Sequence, residues 1–362
     1  MATVPLETRT PVVELLTPCA LIDGRRLRGN IDALQEQIIG VGAALRPHFK
    51  THRTMRIAEL QLEAGAIGLT VATGQQLSFV RHEFDCPVLV SSLLQSDTSL
   101  ADRLREACLA GGVVFAIESS ASAELLRAAV GADLEAEVMI EIETGCLRTG
   151  IEPAECGEVA RAAARLGLRV VGVFSYPGSG YLPGQAEQAS EQEQTALALA
   201  AAELTRAGFE PRHVSAGSTP TIRFARSGAV TEYRPGTYIF GDRQQLNLGA
   251  VGRSNLSLTV LATVVARHGD RVVLDAGGKA LGRDAPRWLE GYGELLDTPG
   301  ALVTRLYDHH AVIEGYAGPP LAVGDRVEVL PNNANSVMAL ARSAWLTDDG
   351  EVALELTPVP DR

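Results

Sequence analysis

Two patterns of apolar and polar positions alternate along the first two thirds of the chain, one typical of strands and one typical of helices. From about residue 44 to residue 241, short β-rich runs alternate with longer stretches, such as residues 186–207, in which strong helix formers recur at helical spacing. Eight strands separated by helix-length connections favour a parallel (β/α)8 TIM barrel over a sandwich. A doubly wound open sheet gives a similar alternation, so strand count alone does not decide closure. The predicted strands are residues 45–50, 67–72, 87–92, 113–118, 137–143, 170–176, 213–216 and 237–241.

The alternation of strands and helices ends at about residue 245, and beyond it strands follow one another with only turn-like segments between them. Gly-Asp pairs at residues 269–270 and 324–325 mark tight reversals. Successive strands without helices indicate a mainly antiparallel β domain. We therefore predict a barrel over residues 18–248 and a C-terminal β domain over residues 249–362 that includes residues 1–17. The predicted strands of this domain are residues 257–268, 271–275, 303–307, 325–330 and 352–356.

Composition narrows the class of protein. The 362 residues are 46% hydrophobic and 21% charged, as in an ordinary globular protein that buries its core without disulfides. The net charge of −12 argues against a nucleic-acid binder. Five scattered cysteines form no close pairs, which favours a reducing compartment. With no signal-peptide pattern and no apolar stretch of about 18 residues, we expect a cytoplasmic protein without a membrane segment.

The first predicted barrel strand carries an unusual group of basic residues. Strand alternation puts Arg46, His48 and Lys50 on one face and Phe49 on the other. Three basic side chains on an inward face are costly unless the face opens on an anion or an electrophile. Lys50 ends the strand, where barrel enzymes keep their chemistry, and a crowded cationic site lowers a lysine pKa and favours Schiff-base formation. A surface lysine that ends an edge strand remains the alternative.

Two turns and one loop add to this signal. The turn at residues 216–221 (Ala-Gly-Ser-Thr-Pro-Thr) follows a predicted strand, and residues 234–238 (Arg-Pro-Gly-Thr-Tyr) open the next. Their backbone N–H groups and hydroxyls suit a phosphate, which barrels often bind at the loops around strands seven and eight. Arg148, in a Gly-flanked loop after residues 137–143, is a donor for a phenolate or a carboxylate. Taken alone, each of these motifs has an alternative interpretation. For the two glycine-containing segments it is a tight turn that binds no ligand, and for Arg148 it is an ion pair with a nearby glutamate.

The combination resembles the fold-type III pyridoxal-phosphate enzymes, the alanine-racemase-like class, and most closely its D-threonine aldolase and D-serine dehydratase branch. The resemblance covers nearly the whole chain. It includes the opening at residues 17–23, the Arg-Pro-His-x-Lys-Thr-His run at 46–52, the Thr-Gly-x-x-Arg-x-Gly loop at 144–150, both phosphate turns, and the Leu-Asp-Ala-Gly-Gly-Lys-Ala run at 274–280.

The resemblance implies specific roles. Lys50 would form a Schiff base with pyridoxal phosphate and act as general base, with His48 behind it. Arg148 would donate to the phenolic oxygen of the cofactor, and Tyr176 would lie near the aldehyde carbon and the substrate. It also implies a small amino-acid substrate and a homodimer with a shared active site. The phosphate would be held by Gly217, Ser218, Thr219, Gly236, Thr237 and Tyr238.

The pattern breaks at the metal site of the branch, which binds a divalent ion through a Pro-Asn-His-x-Cys or Pro-x-His-x-Asp run. The matching run here has Asn333 and Asn335 at both ligand positions. A neutral amide oxygen is a poor ligand for zinc or manganese, so we expect no tight metal site there. The two amides are instead candidates for hydrogen bonds to the substrate. His310 matches a histidine of the family and is a candidate acid or base, and Asp308, His309 and His310 form a candidate alternative metal site.

These residues lead to three candidate functions. The first is a lyase that cleaves or dehydrates a β-hydroxy-D-amino acid. The second is a metal-independent racemase or epimerase, with Lys50 as one base and Tyr176, Tyr307 or His310 as the other. The third, a non-catalytic carrier of pyridoxal phosphate, is disfavoured because such proteins resemble a lone barrel. We favour the lyase because the resemblance extends along the whole chain.

Overall fold

The computed structural model describes residues 5–93 and 101–360, with side chains described from residue 11 onward. Strands and helices alternate up to about residue 250, and strands predominate after it. The strands are β1 (Pro5–Pro11), β2 (Cys19–Asp23), β3 (Ala44–Leu45), β4 (Leu69–Val71), β5 (Val88–Val90), β6 (Val113–Ile117), β7 (Ala136–Ile142), β8 (Leu168–Ser175), β9 (His213–Ala216), β10 (Glu232–Tyr233), β11 (Leu258–His268), β12 (Arg271–Leu274), β13 (Gly293–Leu295), β14 (Val303–Leu306), β15 (Ala311–Ile313), β16 (Arg326–Pro331), β17 (Ala344–Asp348) and β18 (Glu351–Leu356).

The helices lie mostly between the strands of the first part of the chain, as the alternation predicts. Sequence signals set some of their ends: Ser119 and Ser122 form a capping box at the start of one helix, and Gly131, at φ 81°, ends it. The helices are α1 (Gly24–Gly40), α2 (Met55–Glu63), α3 (Gly74–Glu83), α4 (Ala101–Ala110), α5 (Ser120–Val130), α6 (Cys156–Arg165), α7 (Ala186–Arg206), α8 (Arg243–Asn247), α9 (Gly278–Leu281) and α10 (Ala334–Leu340).

The chain divides into two compact units. The barrel unit contains residues 33–50 and 57–236, and the β unit contains residues up to 32, residues 51–56 and residues 237–358. The domain limits predicted from the sequence are 18–248 for the barrel and 249–362 with 1–17 for the β domain. The compact units do not test them, so those limits stay a prediction.

Eight parallel strands form the sheet of the barrel unit, in the order β3-β10-β9-β8-β7-β6-β5-β4. The two ends of this order meet, because His48, just after β3, forms a parallel bridge with Thr70 of β4. The Thr70 N–H also donates to the Pro47 carbonyl over 2.9 Å. The sheet is therefore a closed barrel, as predicted, and the open doubly wound sheet is excluded.

The first and last barrel strands differ from their predictions. The strand predicted at residues 45–50 ends at Leu45, and Phe49–Thr51 forms a 3-10 turn. The strand predicted at residues 237–241 is wrong, since Thr237–Ile239 is a 3-10 turn and the eighth strand is Glu232–Tyr233. Proline explains both errors: Pro47 and Pro235 lack the N–H that a strand must donate, so each strand stops before its proline.

The barrel interior contains an apolar layer and a charged network. Apolar side chains from β5 to β8 form one buried cluster. Near the first and last strands, Arg46 forms two 2.9 Å hydrogen bonds with Glu232, which also accepts from Ser215 over 2.7 Å. Although burial opposes it, hydrogen bonds from His213 and the charge of Arg46 hold the pKa of Glu232 far below its usual range. The charge of Arg46, one of the three basic residues that the sequence associated with a ligand, is thus balanced by Glu232 of the protein itself.

The β unit contains a ten-stranded sheet with the path β1-β18-β17-β2-β11-β12-β15-β14, and β16 pairs with both β11 and β13. Its pairings are antiparallel except for β17 with β2. The sequence analysis missed β1, β2, β13, β15 and β17, but it identified the architecture, and the predicted fold class is confirmed. Strand β2 belongs to this sheet, since Ala20 pairs with both Val260 and Ala344.

Candidate active site

The candidate site of the barrel unit lies where the carboxyl ends of its strands meet. Lys50 follows β3 in the 3-10 turn, so its position comes from the turn and not from strand alternation. Lys50 is exposed as a residue, whereas protein atoms pack densely enough around its ammonium to desolvate it. Burial first, and then the charges of Arg148 and Arg234, lower the pKa of Lys50 to about 8. A lysine with this pKa is partly neutral near pH 8 and is a competent nucleophile.

Tyr176, the residue after β8, lies between two cations. The Lys50 Nζ is 5.7 Å from the centre of its ring, and the Arg148 Cζ is 4.9 Å from the same centre. Burial raises the pKa of Tyr176, with Cys146 adding to this effect and Arg148 opposing it. The structure therefore brings together three of the residues predicted from the sequence. Such cation–π contacts fix a ring and a cation in one orientation.

Glu141 holds Arg148 in this arrangement. The Arg148 Nη2 is 3.2 Å from Glu141 Oε1, and Thr149 Oγ1 donates to the same oxygen over 2.9 Å. Burial raises the pKa of Glu141, while these two donors lower it. Arg148 therefore pairs with Glu141, which was the alternative considered from the sequence, and it contacts Tyr176 at the same time. The guanidinium is about half exposed, so other N–H groups remain available to a ligand.

His48 lies beneath Lys50. Its Nδ1 accepts a 3.4 Å hydrogen bond from the Lys50 main-chain N–H, and its Nε2 is 3.3 Å from Ser91 Oγ. The ring is 9% exposed and supports the turn through the main chain of Lys50.

In the turn after β9, some main-chain N–H groups donate to protein acceptors and others do not. Gly217, at φ 89°, donates its N–H to both oxygens of Glu193 over 3.0 Å. Ser218 donates its N–H to Thr221 Oγ1 over 2.9 Å. Among the described residues, Thr219 Oγ1 is buried without a hydrogen-bond partner, and the Thr219 N–H donates to no main-chain acceptor. The donors of this turn that remain available to a ligand therefore belong to Thr219.

The second turn follows β10. Gly236 ends the main segment of the barrel unit, while Thr237 and Tyr238 belong to the β unit and are buried there. Arg234 is buried too, donates to Ser215 Oγ and to the Ser175 carbonyl, and lies with its Cζ 5.2 Å from the centre of the Phe174 ring.

The barrel unit fits a phosphorylated pyridine aldehyde. A buried polar group without a partner is costly, and the Thr219 hydroxyl is one in a turn of small residues. Lys50 supplies an amine for an aldehyde, and Arg148 supplies a donor for a phenolic oxygen. The residues described here would therefore hold pyridoxal phosphate.

In the β unit, both predicted asparagines are already engaged. Asn333 accepts a 2.9 Å hydrogen bond from the Asn335 N–H as the cap of α10 and donates to Asp284 Oδ1 over 3.1 Å. Thr237 Oγ1 donates to Asn335 Oδ1 over 3.5 Å. No group of three His, Cys, Asp or Glu side chains suited to a metal exists among the described residues. The donor set at these two positions does not fit a divalent metal.

His310 lies in the turn between β14 and β15, where the Tyr307 N–H donates to the His310 carbonyl over 2.8 Å. The strand predicted at residues 303–307 ends at Leu306, so Asp308, His309 and His310 all lie in this turn. Asp308 instead pairs with Arg283 and is 3.8 Å from Lys279, which is 3.4 Å from His309 Nε2. His310 and Tyr307 are exposed and line a depression of the β unit together with Arg271 and Arg305.

Three residues of the barrel network were missed by the sequence. Glu141 lies in the predicted strand at residues 137–143 and Arg234 in the turn at residues 234–238, but nothing in the local pattern shows that they are buried and paired. Glu193 lies in a helix whose other glutamates, such as Glu187, are typical of a solvated face. Glu193 differs from these other glutamates in its position, because its side chain on α7 faces the Gly217 N–H of the turn after β9.

Comparisons with known proteins identify the family of this chain. A family model described as "Alanine racemase, N-terminal domain" matches residues 22–244, and one described as "Putative serine dehydratase domain" matches residues 257–347. The chain belongs to the alanine racemase N-terminal domain family. It is a pyridoxal-phosphate-dependent lyase of that family, so the resemblance seen in the sequence and the predicted cofactor are confirmed.

Three relatives cover most of the chain. D-threo-3-hydroxyaspartate dehydratase from Delftia sp. (strain HT23) is 31% identical over 89% of this chain and 92% of its own. Its solved structure matches with a TM-score of 0.87 over 98% of this chain and 100% of its own, at 29% identity. D-threonine aldolase from Arthrobacter sp is 28% identical over 96% of this chain and 93% of its own. D-serine dehydratase from Dictyostelium discoideum is 25% identical over 91% and 92%.

Proposed function

We propose that the protein cleaves or dehydrates a β-hydroxy-D-amino acid. The observation that carries the proposal is the cluster of Lys50, Tyr176 and Arg148 at the carboxyl end of the barrel, in a chain similar over its length to three lyases. The names of those relatives share a D-amino acid with a hydroxyl group at the β carbon. The same class of substrate is therefore the best candidate here.

In the proposed mechanism, bound pyridoxal phosphate supplies an electron sink for charge that develops at the substrate Cα. Lys50 anchors the cofactor through its Nζ. As a neutral amine, the form that its lowered pKa favours near pH 8, Lys50 would accept a proton from the substrate as general base. Arg148 would bind the phenolic oxygen, Thr219 would bind the phosphate, and His48 would orient the turn of Lys50. We assign the other phosphate contacts, Ser218, Gly236, Thr237 and Tyr238, on the resemblance alone. Gly217, the remaining residue of that set, donates its N–H to Glu193 instead.

We infer that the β-hydroxyl of the substrate is handled without a tightly bound metal. The proposal is supported by the two amides at the ligand positions and by their engagement with Asp284 and Thr237. Asn335 retains an amide N–H2 for the substrate, and His310 is the candidate acid that protonates the leaving hydroxyl.

The proposal is tested by substrate and metal dependence together. We expect product from D-threonine, D-serine or D-threo-3-hydroxyaspartate, as aldehyde or as keto acid, at a rate that EDTA leaves within about twofold. Lys50→Ala should lose both this activity and the visible absorption of bound pyridoxal phosphate. Full retention of that absorption in Lys50→Ala contradicts the assignment of Lys50, and a strict requirement for zinc or manganese contradicts the metal-independent mechanism.

A second candidate is an amino-acid racemase that uses Lys50 and a second base. The observation that favours it is the Tyr176 ring beside Lys50, which offers a phenol as that base. Deuterium from solvent entering Cα of both enantiomers, without release of aldehyde or keto acid, would support the racemase against the lyase.

We also propose that the protein is a cytoplasmic homodimer. All five cysteines are free, which suits a reducing compartment. None of the helices in the described part of the chain has the length and apolarity needed to cross a membrane. The dimer rests on the resemblance to the family.

A further inference from the structure

Glu193 is a buried carboxylate that no step above uses. It lies in α7, is 1% exposed, and points its two oxygens at the Gly217 N–H over 3.0 Å each. Ser175 Oγ donates to its Oε1 over 2.7 Å. One side chain thus contacts the turn that precedes Thr219 and the last residue of β8, which precedes Tyr176.

A carboxylate in this place is costly unless its hydrogen bonds are needed. Burial raises the pKa of Glu193 to about 7, and the donors Ser175 and Gly217 and the charge of Arg234 only partly oppose this. Helix α7 has other glutamates at exposed positions, so the helix does not need a charge here. A leucine would pack at this position without a desolvation penalty, but it would leave the Gly217 N–H without an acceptor.

The hydrogen bonds of Glu193 decide which groups of the turn face a ligand. Gly217 is at φ 89°, and its N–H is taken by Glu193, while the Ser218 N–H is taken by Thr221. The donors left over are those of Thr219. If the acceptor of Gly217 were lost, the Gly217 N–H could reach any nearby anion, and the turn would have no fixed conformation before the cofactor binds.

We infer that Glu193 is a positioning residue that ties the turn at residues 217–219 to the end of β8. It sets the phosphate donors of Thr219 and the Tyr176 ring in one fixed relation. This role rests on the proposed assignment of the turn to the phosphate of pyridoxal phosphate. Glu193 acts through Gly217 and Ser175 and does not touch the reacting atoms.

The test measures the affinity of pyridoxal phosphate in four proteins: wild type, Glu193→Ala, Glu193→Gln and the control Glu191→Gln. Glu191 lies two residues earlier on α7, with its side chain 59% exposed. Release of cofactor from each holoenzyme on dilution is followed by visible absorption, and the melting temperature of each apoenzyme is recorded in parallel.

We expect Glu193→Ala to weaken cofactor binding by about 10- to 100-fold, the loss expected for hydrogen bonds to a charged group. Glu193→Gln should stay within about threefold of wild type, because its amide oxygen accepts from Gly217 and its amide N–H2 donates to Ser175 Oγ. Glu191→Gln should match wild type. A merely structural role would lower the apoenzyme melting temperature and leave the affinity unchanged.

Two results overturn the role of Glu193. One is wild-type affinity in folded Glu193→Ala, and the other is equal weakening in the Ala and Gln variants, which would point to charge instead of position. If Glu193→Ala does not fold, Ser175→Ala replaces it, with an expected weakening of about threefold to tenfold and with wild-type affinity as the contrary result. A wild-type protein that fails to bind the cofactor would instead overturn the proposed function.

Discussion

At the scale of single residues, Lys50 is made reactive by its surroundings. Its ammonium is desolvated, and the positive charges of Arg148 and Arg234 lower its pKa further. A surface lysine keeps its proton up to about pH 10, whereas the pKa of Lys50, lowered to about 8, leaves part of the amine neutral already near neutral pH. The amine is therefore available for an aldehyde under mild conditions.

The pKa of Lys50 can be measured directly, because the chain has only two lysines, Lys50 and Lys279. We expect acetylation of Lys50 in the apoenzyme to increase as the pH rises through about 8, since the neutral amine is the reactive form. Arg148→Ala should move this midpoint to higher pH because a positive charge is removed, and Arg165→Ala should not. Mass spectrometry with Lys279 as internal reference gives the midpoints. A wild-type midpoint near 10 would contradict the prediction.

The asparagines at residues 333 and 335 allow a gain-of-site experiment. Asn333→His with Asn335→Cys recreates the ligand run of the metal-dependent branch, so we expect the double variant to retain zinc through dialysis and the wild type to lose it. Because Asn333 caps α10, the variant should lose about 1 kcal/mol of unfolding free energy. Metal analysis of both proteins decides the matter, and stoichiometric zinc in the dialysed wild type would show that the amides do bind metal.

At the scale of elements, the barrel joins its first and last strands through a buried ion pair. Arg46 follows β3 and Glu232 lies in β10, which are neighbours in the sheet. Both side chains are almost fully buried. The short strands contribute few main-chain hydrogen bonds here, so the side-chain pair supports the joint between them.

Removal of one member of this pair should leave an unpaired buried charge. We expect Arg46→Ala to lower the free energy of unfolding by about 3–5 kcal/mol. Arg212→Ala is the matched control, because Arg212 forms a half-exposed ion pair with Glu137 over 2.6 Å and should cost at most about 1 kcal/mol. Urea denaturation of both variants provides the comparison, and equal losses would contradict the importance of burial.

At the scale of the whole molecule, the two units carry different parts of the proposed chemistry. The barrel unit holds Lys50, Tyr176, Arg148 and Thr219, and the β unit holds His310 and the two asparagines. The resemblance to the family implies that subunits share active sites. The assembly is therefore part of the proposed function.

The predicted homodimer has a simple test. Light scattering of the purified protein should give twice the chain mass of 38.3 kDa at micromolar concentration. If the active sites are shared, dilution below the dissociation constant should reduce activity together with mass. A monomer with undiminished activity would contradict the shared site.

The sequence by itself determined the architecture and the cofactor. The alternation of strands and helices, the Arg-Pro-His-x-Lys run and the two glycine turns are local signals, and the structure and the relatives confirm the fold, the family and pyridoxal phosphate. The same local reasoning misjudged the ends of β3 and β10, because it treated residues beyond a proline as strand.

Only the tertiary structure decided which residues meet. Glu141 and Arg148 are close because a loop folds back, and Glu193 meets Gly217 because α7 packs beside β9. Burial of Arg46 against Glu232 joins residues far apart in the chain. Desolvation and pairing depend on three-dimensional neighbours, which no local pattern encodes, so the electrostatics of the site became visible only in the folded chain.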